Sequence, residues 1–465
     1  MSYSQIFSLE VTQSLFNRAA ETQFEFGEDT ALVSVQHMLE QTVDLFETIV
    51  DLGLSRQNIF ALGKVYSNSC VVIETLRNRG ITVVKSTMPE PGKFDQYFEQ
   101  DCKTLWQVVA ETLARRRIKR ILVLDDGGTC ITTVPTEVLR RYAMCGVEQT
   151  SLGMFLFEVK PPPFAVMSWA RSAVKLKIGG PIFSQCLIDR FGRRTLSGGQ
   201  LGVIGLGSIG RAVANLAARE GKRVLYYDPY QDLPACSTLR SHLNRVKSLE
   251  ELMMRCDYVV GCSGRNPFKG NWPLQHKPGI TLLSASGGDQ EFRPIINYLR
   301  TKPDFHIDEH TWDVSSELGP SGPIQIAYLG YPYQFVSRAP DAVPTRIVQL
   351  ETGGLLAAVI QARMYLDLCE EGLAPNRGIH RVSPTAQQFV CETWLSTMKD
   401  MKIDLVDLFG YDPAMLRFAR NDFWLERNSE PHPSAEYVPF KTLEEEMDQF
   451  VCLECNLTSP RRAAG

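Results

Sequence analysis

Three glycines stand close together between an apolar run and a helical one, and an acidic residue follows them. Gly205, Gly207 and Gly210 form the pattern G-x-G-x-x-G. Such glycines let a strand turn tightly into a helix, let the backbone approach a pyrophosphate, and let the helix pack closely. Asp228 ends the next apolar run, where a carboxylate can accept hydrogen bonds from ribose hydroxyls and repels a 2′-phosphate. The spacing therefore predicts a βαβ unit that binds NAD rather than NADP.

Other residues are expected to contact the same cofactor. Ser208 and Ile209 open the helix after the turn, so their backbone amides are available to the phosphate charge. Thr150 and Ser151 lie in a loop of the preceding domain and are candidates for binding the nicotinamide ribose.

Strand and helix patterns alternate on both sides of this motif, which is typical of wound α/β sheets. The segment before it is predicted to alternate between strand and helix at 58–63, 67–79, 81–86, 94–116 and 120–124. Upstream of these, apolar residues from Thr30 to Leu52 recur at helical spacing and predict one amphipathic helix. Lys160-Pro161-Pro162-Pro163 cannot lie inside a helix or central strand and predicts a break in this domain.

A second alternating series follows residue 199. It predicts strands at 200–204, 223–227, 258–262, 281–284 and 305–308, helices at 209–220 and 249–255, and a long helix at 345–368 that crosses back.

The fold class is thus α/β, with two doubly wound parallel-sheet domains and a mostly helical C-terminal segment. Residues 1–192 form a substrate-type catalytic domain, 193–345 a Rossmann NAD-binding domain, and 346–465 a return helix and C-terminal segment that packs on the first domain. Residues 458–465 are expected to be disordered.

Charge and composition narrow the partners of the protein. A formal charge of −4 over 465 residues gives no basic field for nucleic acid, and no apolar run is long enough to span a membrane. Without a signal-peptide pattern, a cytoplasmic protein with a small-molecule substrate is expected. Twelve cysteines without framework spacing indicate reduced thiols, and the isolated pair Cys452 and Cys455 does not predict a metal site.

Two families share this kind of cofactor domain. The run from Leu201 to Pro229 resembles the D-2-hydroxyacid dehydrogenases, whose catalysis uses an arginine, a glutamate and a histidine. The arginine that those enzymes carry before a Gly-Gly pair is missing here, because the corresponding stretch at 284–289 contains none.

A longer resemblance, from about Asn58 to about Glu370, is to the S-adenosylhomocysteine hydrolases. Five segments carry it in order: Val71–Leu76 (VVIETL), Leu124–Gly128 (LDDGG), Gly146–Gly153 (GVEQTSLG), Ser286–Glu291 (SGGDQE) and Gly330–Val336 (GYPYQFV). The resemblance implies a tightly held NAD that oxidises a nucleoside hydroxyl, acidifies the neighbouring C–H bond for thiol elimination, and is regenerated in each turnover.

The chain departs from that family in the residues that carry the chemistry. The H-x-T run is matched to Lys64-Val65-Tyr66, and the second glutamate of the EE pair is Gln149. In the K-S-K-F-D-N run, Lys177 is retained but the aspartate is Gly179. The two histidines are replaced by Gly287 and Tyr331.

The remaining polar residues supply the candidate site. The candidate catalytic residues are Asp126, Glu148, Lys177 and His310, the last beside two acids after a strand. In the non-functional alternatives, Asp126 is a carboxylate that caps local amides in a turn, Lys177 is a solvated lysine, and His310 is a solvated histidine. The candidate substrate contacts are Lys64, Tyr66, Asn68 and Tyr331.

These residues predict an NAD-binding, adenosylhomocysteinase-like protein that oxidises a secondary alcohol of a small polar or nucleoside-like substrate and is not a standard adenosylhomocysteinase. One alternative is a conventional NAD-dependent dehydrogenase of the 2-hydroxyacid type. Another is a catalytically inactive NAD-binding regulatory protein. The resemblance also implies a homo-oligomer, either a dimer or a tetramer.

Overall fold

The structure is a computed structural model that describes residues 9–191, 198–230, 242–336, 343–374 and 377–403. The sequence-based predictions for the 192/193 domain boundary, for Cys452 and Cys455, and for the tail at 458–465 lie outside the described residues.

The first sheet has seven parallel strands in the order β15-β6-β5-β4-β1-β2-β3. Its strands are β1 Thr30–Gln36, β2 Ile59–Gly63, β3 Thr82–Val84, β4 Arg120–Asp125, β5 Ala143–Glu148, β6 Ala165–Ser168 and β15 Gly378–Arg381.

Helices alternate with the strands along the chain, as is typical of wound parallel sheets. They are α1 Glu10–Glu21, α2 Glu40–Asp51, α3 Cys70–Asn78, α4 Phe94–Leu113, α5 Thr129–Thr132, α6 Thr136–Arg141, α7 Ser151–Val159, α8 Gly180–Phe191, α9 Ser208–Arg219, α10 Leu249–Arg255, α11 Arg293–Leu299, α12 Thr345–Glu370 and α13 Pro384–Asp400.

The prediction of one helix from Thr30 to Leu52 is wrong in its first half. Thr30–Gln36 forms the central strand β1, all of whose residues are buried, and only Glu40–Asp51 is helical. A strand covered on both faces is a continuous apolar run without alternation, so its apolar positions also satisfy a helical spacing.

The proline run at 160–163 does not end the first domain. It follows α7, and the chain then enters β6, which pairs with β5 in the same sheet. The prolines therefore occupy a connecting loop, where a missing backbone N–H costs nothing.

The second sheet has eight strands in the order β12-β13-β14-β11-β10-β7-β8-β9. They are β7 Leu201–Ile204, β8 Val224–Tyr227, β9 Leu243–Arg245, β10 Tyr258–Gly261, β11 Ile280–Ser284, β12 His306–Ile307, β13 Val314–Gly319 and β14 Gly322–Ile326. The β12–β13 and β13–β14 pairs are antiparallel and the others are parallel. The predicted fold class of two wound α/β sheets is confirmed.

Two connections join the sheets. A π-helical turn, Lys175–Gly179, leads into α8 on the way to the second sheet, and α12 brings the chain back to pack against α1, α2 and β5. The predicted return helix is thus present. Among the described residues, no helix combines the length and the hydropathy that a membrane span needs.

Candidate functional site

Several polar side chains lie at the carboxyl edge of the first sheet. Gln36 ends β1, and His37 follows it, while Lys64 follows the neighbouring β2. Asp126 and Gln149 directly follow β4 and β5. Because these four strands are parallel neighbours, their last residues meet at one edge, the place where wound sheets bind ligands.

Asp126 is the centre of this cluster. One of its carboxylate oxygens, Oδ1, lies 3.3 Å from Nζ of Lys64. The other, Oδ2, lies 3.4 Å from Nε2 of His37 and accepts a 2.5 Å hydrogen bond from the amide of Gln149. Lys64 is only 2% exposed and Asp126 only 6% exposed, so the ion pair is almost dry.

Burial and charge act in opposite directions on this pair. Burial disfavours the ionised carboxylate, but the positive charge of Lys64 and the hydrogen bonds from His37 and Gln149 outweigh it and hold the pKa of Asp126 well below its usual range. Burial likewise disfavours the ammonium group, yet Asp126 raises the pKa of Lys64 above its ordinary value. At neutral pH both groups are therefore ionised, and Lys64 serves as a donor rather than as a base.

His37 is a site residue that the sequence analysis missed. Its Nδ1 lies 2.6 Å from the hydroxyl of Ser67, which leaves Nε2 directed at Asp126. The sequence analysis misses His37 because only a strand at Thr30–Gln36 places it at the sheet edge, and this segment is predicted there as helix.

Aromatic side chains from the second half of the chain cover the cluster. Tyr331 stacks on Tyr66 with ring centroids 5.0 Å apart, and Phe335 stacks on His37 at 4.1 Å. Tyr328 donates its hydroxyl hydrogen to the carbonyl oxygen of Tyr66. Burial raises the pKa of Tyr66 to about 12, so its hydroxyl stays protonated. The site is therefore enclosed between the two sheets.

The covering segment has an unusual backbone. Tyr328 and Leu329 both have φ of 53°, a left-handed conformation that costs free energy in residues with a Cβ. The hydrogen bond of Leu329 to the Trp312 carbonyl and that of Tyr328 to Asp313 hold it there. Strained backbone of this kind concentrates at ligand sites.

Glu148 lies beside the cluster but contacts the backbone that supports it. Its Oε1 accepts hydrogen bonds from the amide of Gly127 and from both the amide and hydroxyl of Thr150. It is fully buried, and burial together with Asp125 raises its pKa well above the ordinary value. Glu148 thus holds the Asp126-Gly127 turn in place, and Thr150 caps α7 by accepting from the amide of Gly153.

The other candidates are more dispersed. Asn68 donates to the hydroxyl of Ser86, and Ser151 is the first residue of α7. Lys177 is partly exposed in the π-helical turn. His310 is exposed in the turn after the edge strand β12, where its amide bonds to Asp308, and the structure does not bring it to the cluster.

The glycine turn between β7 and α9 fits a dinucleotide. Gly205 has φ of +86°, and a Cβ there would lie 2.7 Å from the Cα of Ser263. A Cβ on Gly210 would overlap the carbonyl oxygen of Gly205, whereas one on Gly207 would meet nothing within 4 Å. The turn is therefore closely packed at its two ends and open in the middle, where a pyrophosphate approaches.

Asp228 supports the same turn. Its Oδ2 accepts a 2.6 Å hydrogen bond from the amide of Leu206, and its Oδ1 accepts one from the amide of Tyr230. The carboxylate thus lies at the end of β8 beside the glycine turn, as the sequence predicts for a group that binds ribose hydroxyls.

Comparison with known proteins agrees with this geometry. Residues 186–267 match the family model of the D-isomer-specific 2-hydroxyacid dehydrogenase NAD-binding domain. Two uncharacterised proteins, from two strains of Mycobacterium tuberculosis, are each 27% identical over 291 residues, which is 61% of this chain and 56% of theirs. The chain thus spans about half the length of the curated relatives it matches.

Solved structures of two dehydrogenases also align. Apo D-lactate dehydrogenase from Escherichia coli matches 74% of this chain and 98% of its own, with 14% identity and a TM-score of 0.35. NAD⁺-bound 3-phosphoglycerate dehydrogenase from Entamoeba histolytica matches 75% and 98%, with 12% identity and a TM-score of 0.33. Residues 186–267 are thus similar to the NAD-binding domain of the D-isomer-specific 2-hydroxyacid dehydrogenases, the glycine turn fits a dinucleotide, and NAD is the cofactor of this chain.

Proposed function

We propose that the protein is an NAD-dependent oxidoreductase that oxidises a secondary alcohol of a small polar substrate between its two sheets. The observation that carries this proposal is the pairing of an NAD-binding turn with a cluster at the edge of the other sheet, in which the partly exposed His37 contacts the buried pair Lys64 and Asp126. When bound, NAD supplies an acceptor for the hydride of an alcohol carbon.

The cluster supplies the proton chemistry. His37 is the group that can take the hydroxyl proton, because Asp126 stays ionised and stabilises the resulting imidazolium. Lys64 stays protonated and can donate a hydrogen bond to the alcohol oxygen as its negative charge develops. Gln149 cannot accept a proton in the working range, so its amide orients Asp126.

The balance of charge favours a neutral alcohol over a hydroxy acid. The ammonium group of Lys64 is already paired with Asp126, and Gly287 and Tyr331 occupy positions that carry histidines in the adenosylhomocysteinases. A substrate carboxylate beside Asp126 would add a second negative charge to a nearly dry site. A hydroxyl group adds none.

The test is oxidation of a substrate panel, followed through the absorbance of NADH. Neutral polyols and nucleosides form one half of the panel and 2-hydroxy acids the other. His37→Gln is expected to lower kcat by about a hundredfold or more, as for loss of a general base. His310→Gln is the matched control, because it changes the same residue type at an exposed turn. Equal activity of the two variants would refute the assignment of His37.

This function has two possible forms, which differ in whether NAD exchanges with solvent or stays bound through turnover. The family match over 186–267 supports a conventional dehydrogenase that releases NADH. An adenosylhomocysteinase-like enzyme that recycles its cofactor on a nucleoside-like substrate is the second candidate. It is favoured by the position of Asp126, from the LDDGG segment, beside His37 in one cluster.

Denaturing the purified protein and assaying the supernatant separates these forms. A recycled cofactor copurifies at about one NAD per chain, whereas an exchangeable cofactor is removed by dialysis. An inactive regulatory protein binds NAD but turns over no member of the panel. A cytoplasmic homo-oligomer is part of the proposal, and its mass in solution would establish the number of subunits.

A further inference from the structure

The two connections between the sheets touch each other through an ion pair whose carboxylate is buried and whose lysine is partly exposed. Lys175 opens the π-helical turn that leads out of the first domain, and Glu351 lies in the first third of the return helix α12. Nζ of Lys175 lies 2.8 Å from Oε2 of Glu351. A charged link thus joins the outgoing and returning chain at the place where the domains meet.

A residue of the first sheet also contacts Glu351. Its Oε2 also accepts a 2.8 Å hydrogen bond from the indole of Trp169, which directly follows β6 in the first sheet. Its other oxygen, Oε1, is buried and has no hydrogen-bond partner. A Cβ on Gly179 would overlap this oxygen, so the last residue of the π-helical turn must be glycine for the carboxylate to fit.

The same turn contacts the cofactor domain on its other side. Ser208, the first residue of α9, donates its hydroxyl hydrogen to the carbonyl oxygen of Leu176. A Cβ on Gly180 would overlap the hydroxyl oxygen of Ser208. Ser184, one turn along α8, donates to the carbonyl of Ile209 at 3.1 Å. The π-helical turn is therefore packed between Glu351 and the start of the helix that faces the pyrophosphate.

A π-helical turn lacks the regular hydrogen-bond pattern of an α-helix and occurs frequently at functional sites. Here the carboxylate fixes the turn through Lys175, and the turn fixes Ser208 next to the open Gly207. We infer that Glu351 is a positioning residue for the NAD site, acting through Lys175 and the turn at Lys175–Gly179. The inference rests on the NAD-binding domain and does not require that a substrate be oxidised.

The first test is the affinity of the purified full-length protein for NAD, measured by titration calorimetry. Glu351→Gln removes the charge that holds Lys175 but keeps an acceptor for Trp169, and it is expected to weaken NAD binding about five- to tenfold. Glu370→Gln is the matched control, because it lies on the same helix in a solvent-exposed pair with Arg120. Its affinity is expected to stay within about twofold of the parent protein.

A second pair of variants keeps the test decisive if Glu351→Gln does not fold. Gly179→Ala places a methyl group where the carboxylate lies, so it is expected to weaken NAD binding in the parent protein and to have little effect in a Glu351→Ala background. Equal effects of Gly179→Ala in both backgrounds would overturn the inference. So would a folded Glu351→Gln protein with unchanged NAD affinity, even if the proposed oxidation is observed.

Discussion

The replacement Asp126→Asn tests the energetics of the buried cluster most directly. It keeps the shape of the side chain but removes the charge that faces Nζ of Lys64 at 3.3 Å. At an effective dielectric constant of about 20, the attraction between two unit charges at this distance is about 5 kcal/mol before desolvation. Because Lys64 is 2% exposed, water cannot replace the lost partner.

Removing one member of a buried ion pair costs about 3–5 kcal/mol, so Asp126→Asn is expected to lower the free energy of unfolding by about 4 kcal/mol. Lys64→Met is expected to cost less, because Gln149 and His37 still face the carboxylate. The double variant is expected to be more stable than the sum of the single effects implies, by about 3 kcal/mol.

Urea unfolding of the four proteins at pH 7 measures this coupling. The pKa of Asp126 is depressed, so its contribution is fully present above the unfolded value of 3.8 and is lost only as the pH falls below it. The ionisation of the Asp126 carboxylate itself therefore adds no pH dependence to the difference between parent and Asp126→Asn above about pH 6. A coupling below about 0.5 kcal/mol would refute the description of Lys64 and Asp126 as a dry pair.

Three further predictions concern the cofactor domain. Gly210→Ala should disrupt the turn and lower thermal stability, because its Cβ would overlap the Gly205 carbonyl, whereas Gly207→Ala should leave the melting temperature unchanged and weaken NAD binding in a titration. Burial raises the pKa of Glu291 to about 7, so the parent protein should lose up to about 3 kcal/mol of stability as the pH rises from about 4.5 to 7, and Glu291→Gln should remove that slope in urea unfolding. Asp228→Ala should reduce the preference for NAD over NADP by at least about tenfold in paired binding measurements, and an unchanged ratio would contradict its assignment.

Sequence patterns predict the parts of the fold in which the interacting residues are close together in the chain. The glycine turn and Asp228 lie within one βαβ unit, where each residue type is dictated by the backbone beside it. The sequence predicts helix where β1 lies, because this strand is buried on both faces and its apolar residues do not alternate with polar ones. That error also concealed His37, whose role depends on its position at the end of a strand.

Contacts between distant parts of the chain could not be predicted from such patterns. Glu351 and Lys175 are separated by 176 residues, and no sequence motif links the two. The sequence predicts both Tyr331 and Tyr66 as substrate contacts, but their stacking on each other depends on how the two sheets are oriented. The run at 175–180 contains two lysines, and only the fold shows that Lys175 binds the buried carboxylate of Glu351.

The buried charges also bear on whether the site is active. Replacing a buried ion pair with well-packed apolar residues is often neutral or stabilising, so a protein that only needed its fold would gain nothing from Lys64 and Asp126. The same argument applies to Glu351, which keeps a buried oxygen without a partner and excludes any side chain at Gly179. The cost of these groups is consistent with the ligand-binding roles proposed for them, which the Asp126→Asn and Glu351→Gln variants test.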